Sequence, residues 1–461
     1  MKKYLFYFLV VFAVSFFFFI SFVQAARSDG LDTELQLPDL CGKGGTEFIF
    51  AATGDTFPHE NIQAVGQRKG YDYLFDYVRP YLKVSDISYT NFDGAMLKGS
   101  PQSAYPMFNY NPALAKALKN AGIGVVSIAN NHILDRGPKG LDATIGVLND
   151  AGILHHGSVT STESKNPPPP YLPIMISRDG VDVKIGFISA TWGTNGNADP
   201  FRQVSLLWNS NQYGKQSGPI RQEVLDAVRK AKKETDFVVV AAHWGVEYQF
   251  YPHAGQIDGA KQLAKAGADV ILGAQPHTLQ PVDLLEVDGR KVLVVYSLAN
   301  FIASQGMYQA KSYSATSVIF YFTFVKEKDG AVHLSGYRYL PTIHVDKDTR
   351  PAPIKTDELR GVQEHVRLIM RDFSGKRQIQ PDPSKAFEQI ATCPVQEITP
   401  SVEGGVLTVT PSVGFFKMAM TVDTDSPSDS GISKISVIIW YSVGGMFLFL
   451  FAYFLLRHFV K

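Results

Sequence analysis

The fold of this chain is decided by residues 127–137, which read Ser-Ile-Ala-Asn-Asn-His-Ile-Leu-Asp-Arg-Gly. An apolar run at residues 123–129 predicts a short buried strand. The run stops at the polar residues 130–132, and a turn containing Asp135 and Gly137 follows. In open α/β sheets, ligands bind beyond the carboxyl ends of the strands. This stretch therefore predicts one corner of a ligand site, provided that other strands bring polar groups to the same edge.

Apolar runs alternate with amphipathic segments along most of the chain. Strands are predicted at residues 47–52, 86–90, 152–156, 183–189, 237–242, 270–272 and 292–296, and antiparallel strands at 318–324 and 332–339. Helices are predicted between them at residues 71–84, 112–121, 141–151, 221–235 and 256–266, the first of them interrupted by Pro80. Strands that alternate with helices are typical of an α/β fold, in which a sheet is layered with helices.

Composition excludes some classes of function. The 461 residues include 44 Lys and Arg and 43 Asp and Glu, which gives a formal net charge of +1. This balance gives no reason to expect a nucleic-acid partner. The two cysteines, Cys41 and Cys393, are too few for a zinc–thiolate cluster. They could form one disulfide in an oxidising compartment or remain two unpaired thiols, and their spacing does not decide between these.

Both ends of the chain carry apolar segments outside the predicted globular fold. Residues 1–26 have a basic start, an apolar run and a small-residue end, which predicts a signal peptide or an uncleaved anchor. Residues 435–456 are apolar, without a charge and long enough to cross a bilayer as a helix. Basic residues lie just beyond this segment and at the N-terminus, so we expect both ends in the cytoplasm and the region between them outside it.

The residues between these ends divide by composition. We expect a polar linker at residues 27–45, a main α/β domain at 46–345 and a C-terminal extension at 346–425. Within that extension, residues 393–422 are rich in Val, Thr and Pro and alternate in polarity, which predicts a small β segment.

Polar residues follow several of the predicted strands at the point where each strand ends. They are Asp55, Asp93, Asn131, His132, His243, Gln275 and His277. Carboxylate, amide and imidazole groups together suit a divalent metal such as Mn, Fe or Zn. Two such ions could activate a water molecule and stabilise both the attacking and the leaving oxygen of a phosphoryl transfer. We therefore predict a shared site for one or two divalent ions, rather than a series of independent turns.

Individual roles can be assigned within this predicted site. Asp55 or Asp93 could bridge two ions, and neutral His243 and His277 could each be a terminal ligand. Asn131 can offer its side-chain oxygen, and His132 could transfer a proton during the reaction. For Asp135, orienting His132 and stabilising the turn are equally consistent with the sequence.

In several of these motifs the chain resembles a known family, the CapA proteins of capsule synthesis. The motifs that carry the resemblance are Thr-Gly-Asp at Asp55, Asn-Asn-His at 130–132 with Asp135 and Gly137, His-Trp-Gly-Val-Glu-Tyr at 243–248, Pro-His-Thr-Leu-Gln-Pro at 276–281 and Tyr-Ser-Leu-Ala-Asn-Phe at 296–301. The resemblance covers about residues 47–342. It implies a four-layer α/β/β/α sandwich like that of the calcineurin-like metallophosphatases, a part in poly-γ-glutamate production, and an extracytoplasmic, membrane-attached protein.

The chain departs from the motifs of these families at three positions. Metallophosphatases usually have Asp-x-His in the first motif, whereas Phe57 stands in the place of that histidine. CapA proteins often have His-Pro-His in the last motif, where Gln275 replaces the first histidine. Their second motif commonly ends in Glu, and this chain has the shorter Asp93. The first and last changes favour a single or weakly held metal, or a site kept only for binding.

Three functions are therefore open from the sequence. One is a metal-dependent hydrolase or transferase of the metallophosphatase type that acts outside the cytoplasm. The second is a non-catalytic assembly or export factor for an anionic polymer such as poly-γ-glutamate, working with other membrane proteins of capsule synthesis. The third is a periplasmic nucleotidase-like phosphoesterase.

Overall fold

A computed structural model describes residues 45–305, 313–345, 348–354 and 360–370, and short strand segments at 388–389, 406–409, 418–421 and 436–438. The described residues fall into two compact units. The first holds all elements up to residue 389, and the second holds the last three strands.

The first unit contains two β-sheets. Its strands in chain order are β1 (Thr46–Phe57), β2 (Ile87–Phe92), β3 (Val125–Ser127), β4 (Leu154–His156), β5 (Leu172–Arg178), β6 (Val181–Thr191), β7 (Phe237–His243), β8 (Val270–Ala274), β9 (Leu279–Val287), β10 (Arg290–Leu298), β11 (Asn300–Ala303), β12 (Thr316–Lys326), β13 (Val332–Val345), β14 (Arg350–Pro353) and β15 (Glu388–Gln389). The helices are α1 (Glu60–Lys69), α2 (Arg79–Leu82), α3 (Ala113–Ala121), α4 (Gly137–Asp150), α5 (Gln222–Glu234), α6 (Ala254–Ala266) and α7 (Arg360–Ile369), with short 3₁₀ turns at Tyr71–Phe75 and Glu163–Lys165.

The two sheets share one design, a parallel centre with antiparallel strands beside it. The first sheet has nine strands in the order β14-β13-β12-β1-β2-β3-β4, with β11 also paired to β1 and β15 to β13. In it β1, β2, β3 and β4 run parallel. The second sheet has six strands in the order β5-β6-β7-β8-β10-β9, of which β6, β7, β8 and β10 run parallel. Parallel strands in each sheet therefore end at a common edge.

Three apolar clusters account for how the sheets and helices associate. One joins a face of the first sheet to helices α2, α3 and α4, through residues such as Leu82, Leu118 and Leu141. A second joins the two sheets to each other and includes Phe50 of β1 and Val239 of β7. The third joins the second sheet to α5 and α6. Apolar contacts thus run in the order helices, sheet, sheet, helices.

The predicted α/β fold is confirmed, and the differences lie in single elements. The interruption predicted at Pro80 within residues 71–84 is present as a division into the 3₁₀ turn and α2, and Pro80 lies in the first turn of α2, where its missing N–H costs nothing. Strands β5 and β9 were not predicted, because their outward-facing residues break the apolar run. The helix predicted at 112–121 is α3, and Gly122 closes it at a φ of +114°.

The second unit contains a three-stranded antiparallel sheet of β16 (Val406–Val409), β17 (Met418–Thr421) and β18 (Ser436–Ile438). In the part of the chain that the structure describes, no helix is long and apolar enough to cross a membrane. Only Ser436–Ile438 of the predicted span 435–456 is described, and these three residues form a strand instead of a helix. The predicted leader 1–26, Cys41 and Cys393 lie outside the described residues.

Candidate metal centre

The end of β1 places Asp55 in the interior at a point where two backbone segments nearly touch. A Cβ on Gly54 would lie 1.9 Å from the carbonyl oxygen of Ala299, so only glycine fits before the aspartate. The backbone N–H of Asp55 donates to that same carbonyl at 2.8 Å. This close approach also pairs Asp55 with Asn300 of β11.

Asp55 is held as an ionised carboxylate by its neighbours. Asn91 donates its Nδ2 to Oδ1 at 2.7 Å, and His277 Nδ1 lies 3.1 Å from Oδ2. Burial alone would raise the pKa of Asp55, but the hydrogen bond and charge of His277 outweigh it and lower that pKa. Burial alone would lower the pKa of His277, but its bond to Asp55 raises it. The two residues therefore form a buried ion pair.

His277 is fixed by a second acceptor at the same nitrogen. Its Nδ1 lies 2.9 Å from Oδ1 of Asn300, whose Nδ2 donates to the carbonyl of Ser314 at 3.0 Å. This orients the amide so that its oxygen faces the imidazole. With Nδ1–H held in this way, Nε2 of His277 is the nitrogen that could act as a ligand once the imidazolium has lost its Nε2 proton.

Asp93, just beyond β2, has the opposite environment from Asp55. It is fully buried, and within the described part of the chain neither of its carboxylate oxygens has a hydrogen-bond partner. Burial, reinforced by the charges of Asp55, Asp135 and Glu247, raises the pKa of Asp93 well above its ordinary value. A buried carboxyl group without partners is costly, and such a group points to a missing cation.

His243, at the end of β7, is held between two amides. Asn91 Nδ2 lies 3.1 Å from its Nδ1, and Asn131 Oδ1 lies 2.7 Å from its Nε2. Burial lowers the pKa of His243 to about 3, so its imidazole is neutral at physiological pH. A neutral imidazole is the form that binds metals.

Asp55, Asp93 and His243 form a single buried cluster. Each offers one ligand atom, and these atoms all lie within 4.8 Å of one another. The nearest approach of His243 Nε2 to Asp93 is 4.0 Å, to Oδ2. Two carboxylates and an imidazole fit a divalent cation, and one of these carboxylates, that of Asp93, has no hydrogen-bond partner in the described part of the chain. Asn131 contacts His243 and His277 contacts Asp55, so both surround the same cluster.

His132 and Asp135 form a pair at the edge of this cluster. Nδ1 of His132 lies 2.8 Å from Oδ2 of Asp135, and the backbone N–H of Phe108 donates to that same oxygen at 2.7 Å. The pairing leaves Nε2 of His132 as the nitrogen that can give or take a proton. The turn therefore brings Asp135 to His132, which is one of the two roles that the sequence left open.

Gln275 enters the site by its backbone more than by its side chain. Its N–H donates to Oδ2 of Asp55 at 3.3 Å, and its φ is +94°, an uncommon value for a residue with a side chain. Its Oε1 accepts from Trp192 Nε1 at 3.1 Å, and its Nε2 donates to Glu247 at 3.3 Å. A role for Gln275 as a ligand would use the second lone pair of the oxygen that accepts from Trp192, and this role stays a prediction.

Phe57 occupies the space that a histidine of the first motif would use. Its buried ring stacks on His277 with centroids 5.0 Å apart and lies 5.7 Å from the ring of His132. It also packs on Phe108, with centroids 4.4 Å apart. The substitution therefore converts one side of the site into an apolar wall.

Three asparagines of this site were not predicted as functional from the sequence. Asn91 orients both Asp55 and His243, and Asn300 orients His277. Asn91 and Asn300 both lie in motifs at strand ends, and this position is the feature of the sequence that could have identified them as site residues. Asn195 contacts Asn131 and His132 from the irregular segment after β6, in which no pattern of ligand residues is recognisable.

Comparisons with known proteins agree with these motifs. Residues 49–305 match the family model described as bacterial capsule synthesis protein PGA_cap. A Bacillus anthracis protein described as capsule biosynthesis protein CapA is 32% identical over 266 residues, which cover 56% of this chain and 60% of that protein. The PGA biosynthesis protein CapA of Bacillus subtilis is 29% identical over 316 residues, which cover 67% of this chain and 74% of that protein.

A more distant relative is a probable polyglutamine synthesis accessory protein of Mycobacterium tuberculosis. It is 23% identical over 192 residues, which cover 38% of this chain and 45% of that protein. The matched part of this chain spans only about three fifths of the B. anthracis protein. The family model nevertheless covers more than half of the chain and contains every residue of the candidate metal centre. The chain therefore belongs to the PGA_cap family of bacterial capsule synthesis proteins, the CapA family that its motifs indicated.

Proposed function

We propose that this chain takes part in producing capsule or poly-γ-glutamate outside the cytoplasm, as a metal-dependent hydrolase or transferase of the metallophosphatase type. Family membership and the names of the Bacillus relatives support the biological role. The observation that carries the chemistry is the buried carboxyl group of Asp93, which lies beside Asp55 and His243 and has no hydrogen-bond partner among the residues that the structure describes. The proposal includes the four-layer sandwich of that superfamily, which the order of the apolar clusters supports.

In this proposal Asp55, Asp93 and His243 hold a divalent ion, with Asn131 and His277 available beside them. A bound divalent ion would supply a Lewis acid that polarises a phosphoryl or carbonyl oxygen and lowers the pKa of a bound water. The protein would contribute ligands that are shielded from water and fixed in place, because all three residues are buried and two are oriented by Asn91.

His132 is the proposed proton-transfer group. Its Nδ1–H is donated to Asp135, which fixes the tautomer and leaves Nε2 unprotonated. Asp135 is itself held by the N–H of Phe108, so it cannot turn away from the imidazole without losing that bond. His132 would accept a proton from an attacking group or return one to a leaving oxygen, and Asp135 would stabilise the imidazolium formed in between.

A non-catalytic role in polymer binding or export is the second candidate. It is favoured by Phe57, which fills the place of a ligand, and by Gln275, whose oxygen is bonded to Trp192. In this role the metal centre would serve structure or the binding of an anionic polymer. A periplasmic phosphoesterase acting on small substrates is a further alternative with the same site.

Location and partners belong to the same proposal. The charge pattern around segments 1–26 and 435–456 supports a membrane-attached protein with its main domain outside the cytoplasm. Other membrane proteins of capsule synthesis and an anionic polymer would then be its partners.

Complementation of a deletion strain tests the proposal. The wild-type gene should restore surface polymer, whereas Asp93→Asn and His132→Ala should not, at equal protein levels. Asp150→Asn, at the exposed end of α4, is the matched control and should restore polymer fully. Full restoration by His132→Ala would reject the catalytic role and leave the binding role. Release of phosphate from simple phosphate esters by the purified chain would favour the phosphoesterase.

A further inference from the structure

A tight turn at residues 194–197 reaches the metal centre from the second sheet. The backbone N–H of Asn197 donates to the carbonyl of Thr194 at 2.8 Å, which closes a four-residue turn after β6. Its two central residues, Asn195 and Gly196, have φ values of +53° and +77°. Two consecutive left-handed residues are characteristic of a type I′ turn, for which Asn-Gly is the favoured sequence.

Side-chain bonds hold this turn in one position. Asn211 accepts from the N–H of Thr194 at 2.8 Å and donates to its Oγ1 at 3.2 Å. The Thr194 hydroxyl in turn donates to the carbonyl of Asn197 at 2.8 Å. The turn is therefore anchored at its base, and the side chain of Asn195 has a defined direction.

Asn195 bridges two residues of the candidate site. Asn131 donates its Nδ2 to Oδ1 of Asn195 at 3.1 Å, and Nδ2 of Asn195 donates to Nε2 of His132 at 3.4 Å. Asn197 adds a third bond from the same turn, donating to Oδ1 of Asp135 at 3.4 Å. One exposed turn therefore contacts the proposed amide ligand, the proton-transfer imidazole and its carboxylate.

These bonds have one consistent direction. His243 Nε2–H donates to the oxygen of Asn131, whose amide nitrogen donates to the oxygen of Asn195. The amide nitrogen of Asn195 donates to His132, whose Nδ1–H donates to Asp135. The amide orientations follow from this network, since reversing Asn195 would set like groups against each other at both of its bonds.

We infer that Asn195 is a positioning residue that keeps the oxygen of Asn131 turned toward His243 and keeps Nε2 of His132 beside it. This inference rests on the proposed function, because it assigns Asn195 to the same site. Without Asn195, the carboxamide of Asn131 keeps only its bond to His243, and the imidazole of His132 keeps only its bond to Asp135. The metal ligand and the proton-transfer group would then no longer be held in one arrangement before the substrate binds.

The test compares Asn195→Ala, Asn195→Asp and Asn209→Ala in the full-length chain. Asn209 is exposed on the same segment and is the control. Mn²⁺ alone is titrated by calorimetry, and ring ¹⁵N resonances of His132 are followed by NMR, assigned with the His132→Gln chain. Asn195→Ala should weaken Mn²⁺ binding about 10-fold, as loss of an outer-shell contact does, and should shift the Nε2 resonance. Asn195→Asp keeps the acceptor for Asn131, so it should retain Mn²⁺ affinity yet still shift that resonance.

The outcomes separate this inference from the proposed function. If the wild-type chain binds no Mn²⁺, the proposed metal function fails, and the His132 resonance alone decides the role of Asn195. If the wild-type chain binds Mn²⁺, the inference is overturned when Asn195→Ala leaves either the affinity or the resonance as in Asn209→Ala. Equal unfolding temperatures of the three variants would exclude a general loss of structure.

Discussion

Replacing Asp93 with asparagine separates the cost of a buried acid from the benefit of a bound cation. In the metal-free chain Asp93 is fully buried and lacks hydrogen-bond partners among the described residues, beside the ionised Asp55. Asparagine has nearly the same shape but cannot ionise. We therefore expect Asp93→Asn to stabilise the metal-free chain and to abolish its stabilisation by metal.

The size of both effects follows from these contacts. An unsatisfied buried polar group costs about 1–3 kcal/mol. Asp93 must take up a proton on folding at neutral pH and asparagine need not, so the substitution removes that cost while keeping two polar atoms. The net gain in the metal-free chain should therefore be about 1 kcal/mol. Metal at 100 times its dissociation constant stabilises a folded protein by about 2.7 kcal/mol. With about 2 °C for each kcal/mol in a large domain, wild type should gain several degrees on adding metal.

The contribution of Asp93 to the stability of the metal-free chain depends on pH in one direction. The folded-state pKa of Asp93 is raised by burial and by neighbouring carboxylates, so the folded metal-free state favours the protonated acid. That preference is fully present below the unfolded-state pKa and is lost as pH rises through the folded-state pKa. Metal must displace the proton, so Mn²⁺ affinity of wild type should rise with pH over the same interval.

Thermal unfolding with EDTA and with excess Mn²⁺ measures these quantities. Asp93→Asn should unfold above wild type in EDTA and below it in Mn²⁺, while Asp150→Asn should follow wild type in both. If Asp93→Asn is less stable than wild type in EDTA, the buried carboxyl group of Asp93 does not destabilise the metal-free chain. If Mn²⁺ stabilises Asp93→Asn as much as wild type, Asp93 is not a metal ligand.

The structure supports three other predictions. Phe57→His would put an imidazole on the ring of His277, 5.0 Å away between centroids, and should raise the Mn²⁺ stoichiometry measured by calorimetry; an unchanged stoichiometry would contradict the role assigned to Phe57. Gly54→Ala sets a Cβ 1.9 Å from a backbone oxygen, and should lower the free energy of unfolding in urea by more than about 3 kcal/mol; a loss below 1 kcal/mol would contradict the close packing. Gly196 and Gly214 both have a φ of +77° and open space where a methyl group would lie. Replacing either with alanine should therefore lower the free energy of unfolding by about 1–2 kcal/mol. Only Gly196→Ala, in the turn that holds Asn195, should also weaken Mn²⁺ binding.

Much of the fold could be predicted because local pattern and burial agree. The parallel strands that carry Asp55, Asn131 and His243 are buried on both faces, so they appear as short apolar runs with polar ends. The α/β class follows from their alternation with helices. The edge strands β5 and β9 could not be found in this way, because part of each faces solvent and the apolar signal is interrupted.

The candidate site was predictable in its members but not in its geometry. Position after a strand identifies Asp93 and His243, yet only the three-dimensional structure shows that Asp93 lacks hydrogen-bond partners among the described residues while Asp55 has them. Asn195 lies far along the chain from Asn131 and reaches it from the other sheet. Contacts between two sheets leave no periodic signal in sequence, so residues that act across them are the ones that sequence alone misses.

Anomalous diffraction from a crystal of the full-length chain soaked in Mn²⁺ tests the central claim most directly. The ligand atoms of Asp55, Asp93 and His243 lie within 4.8 Å of one another, and we predict one strong anomalous peak among them. The peak should be absent from crystals of Asp93→Asn soaked in the same way. No peak among these three residues at saturating Mn²⁺ would contradict the proposed metal centre.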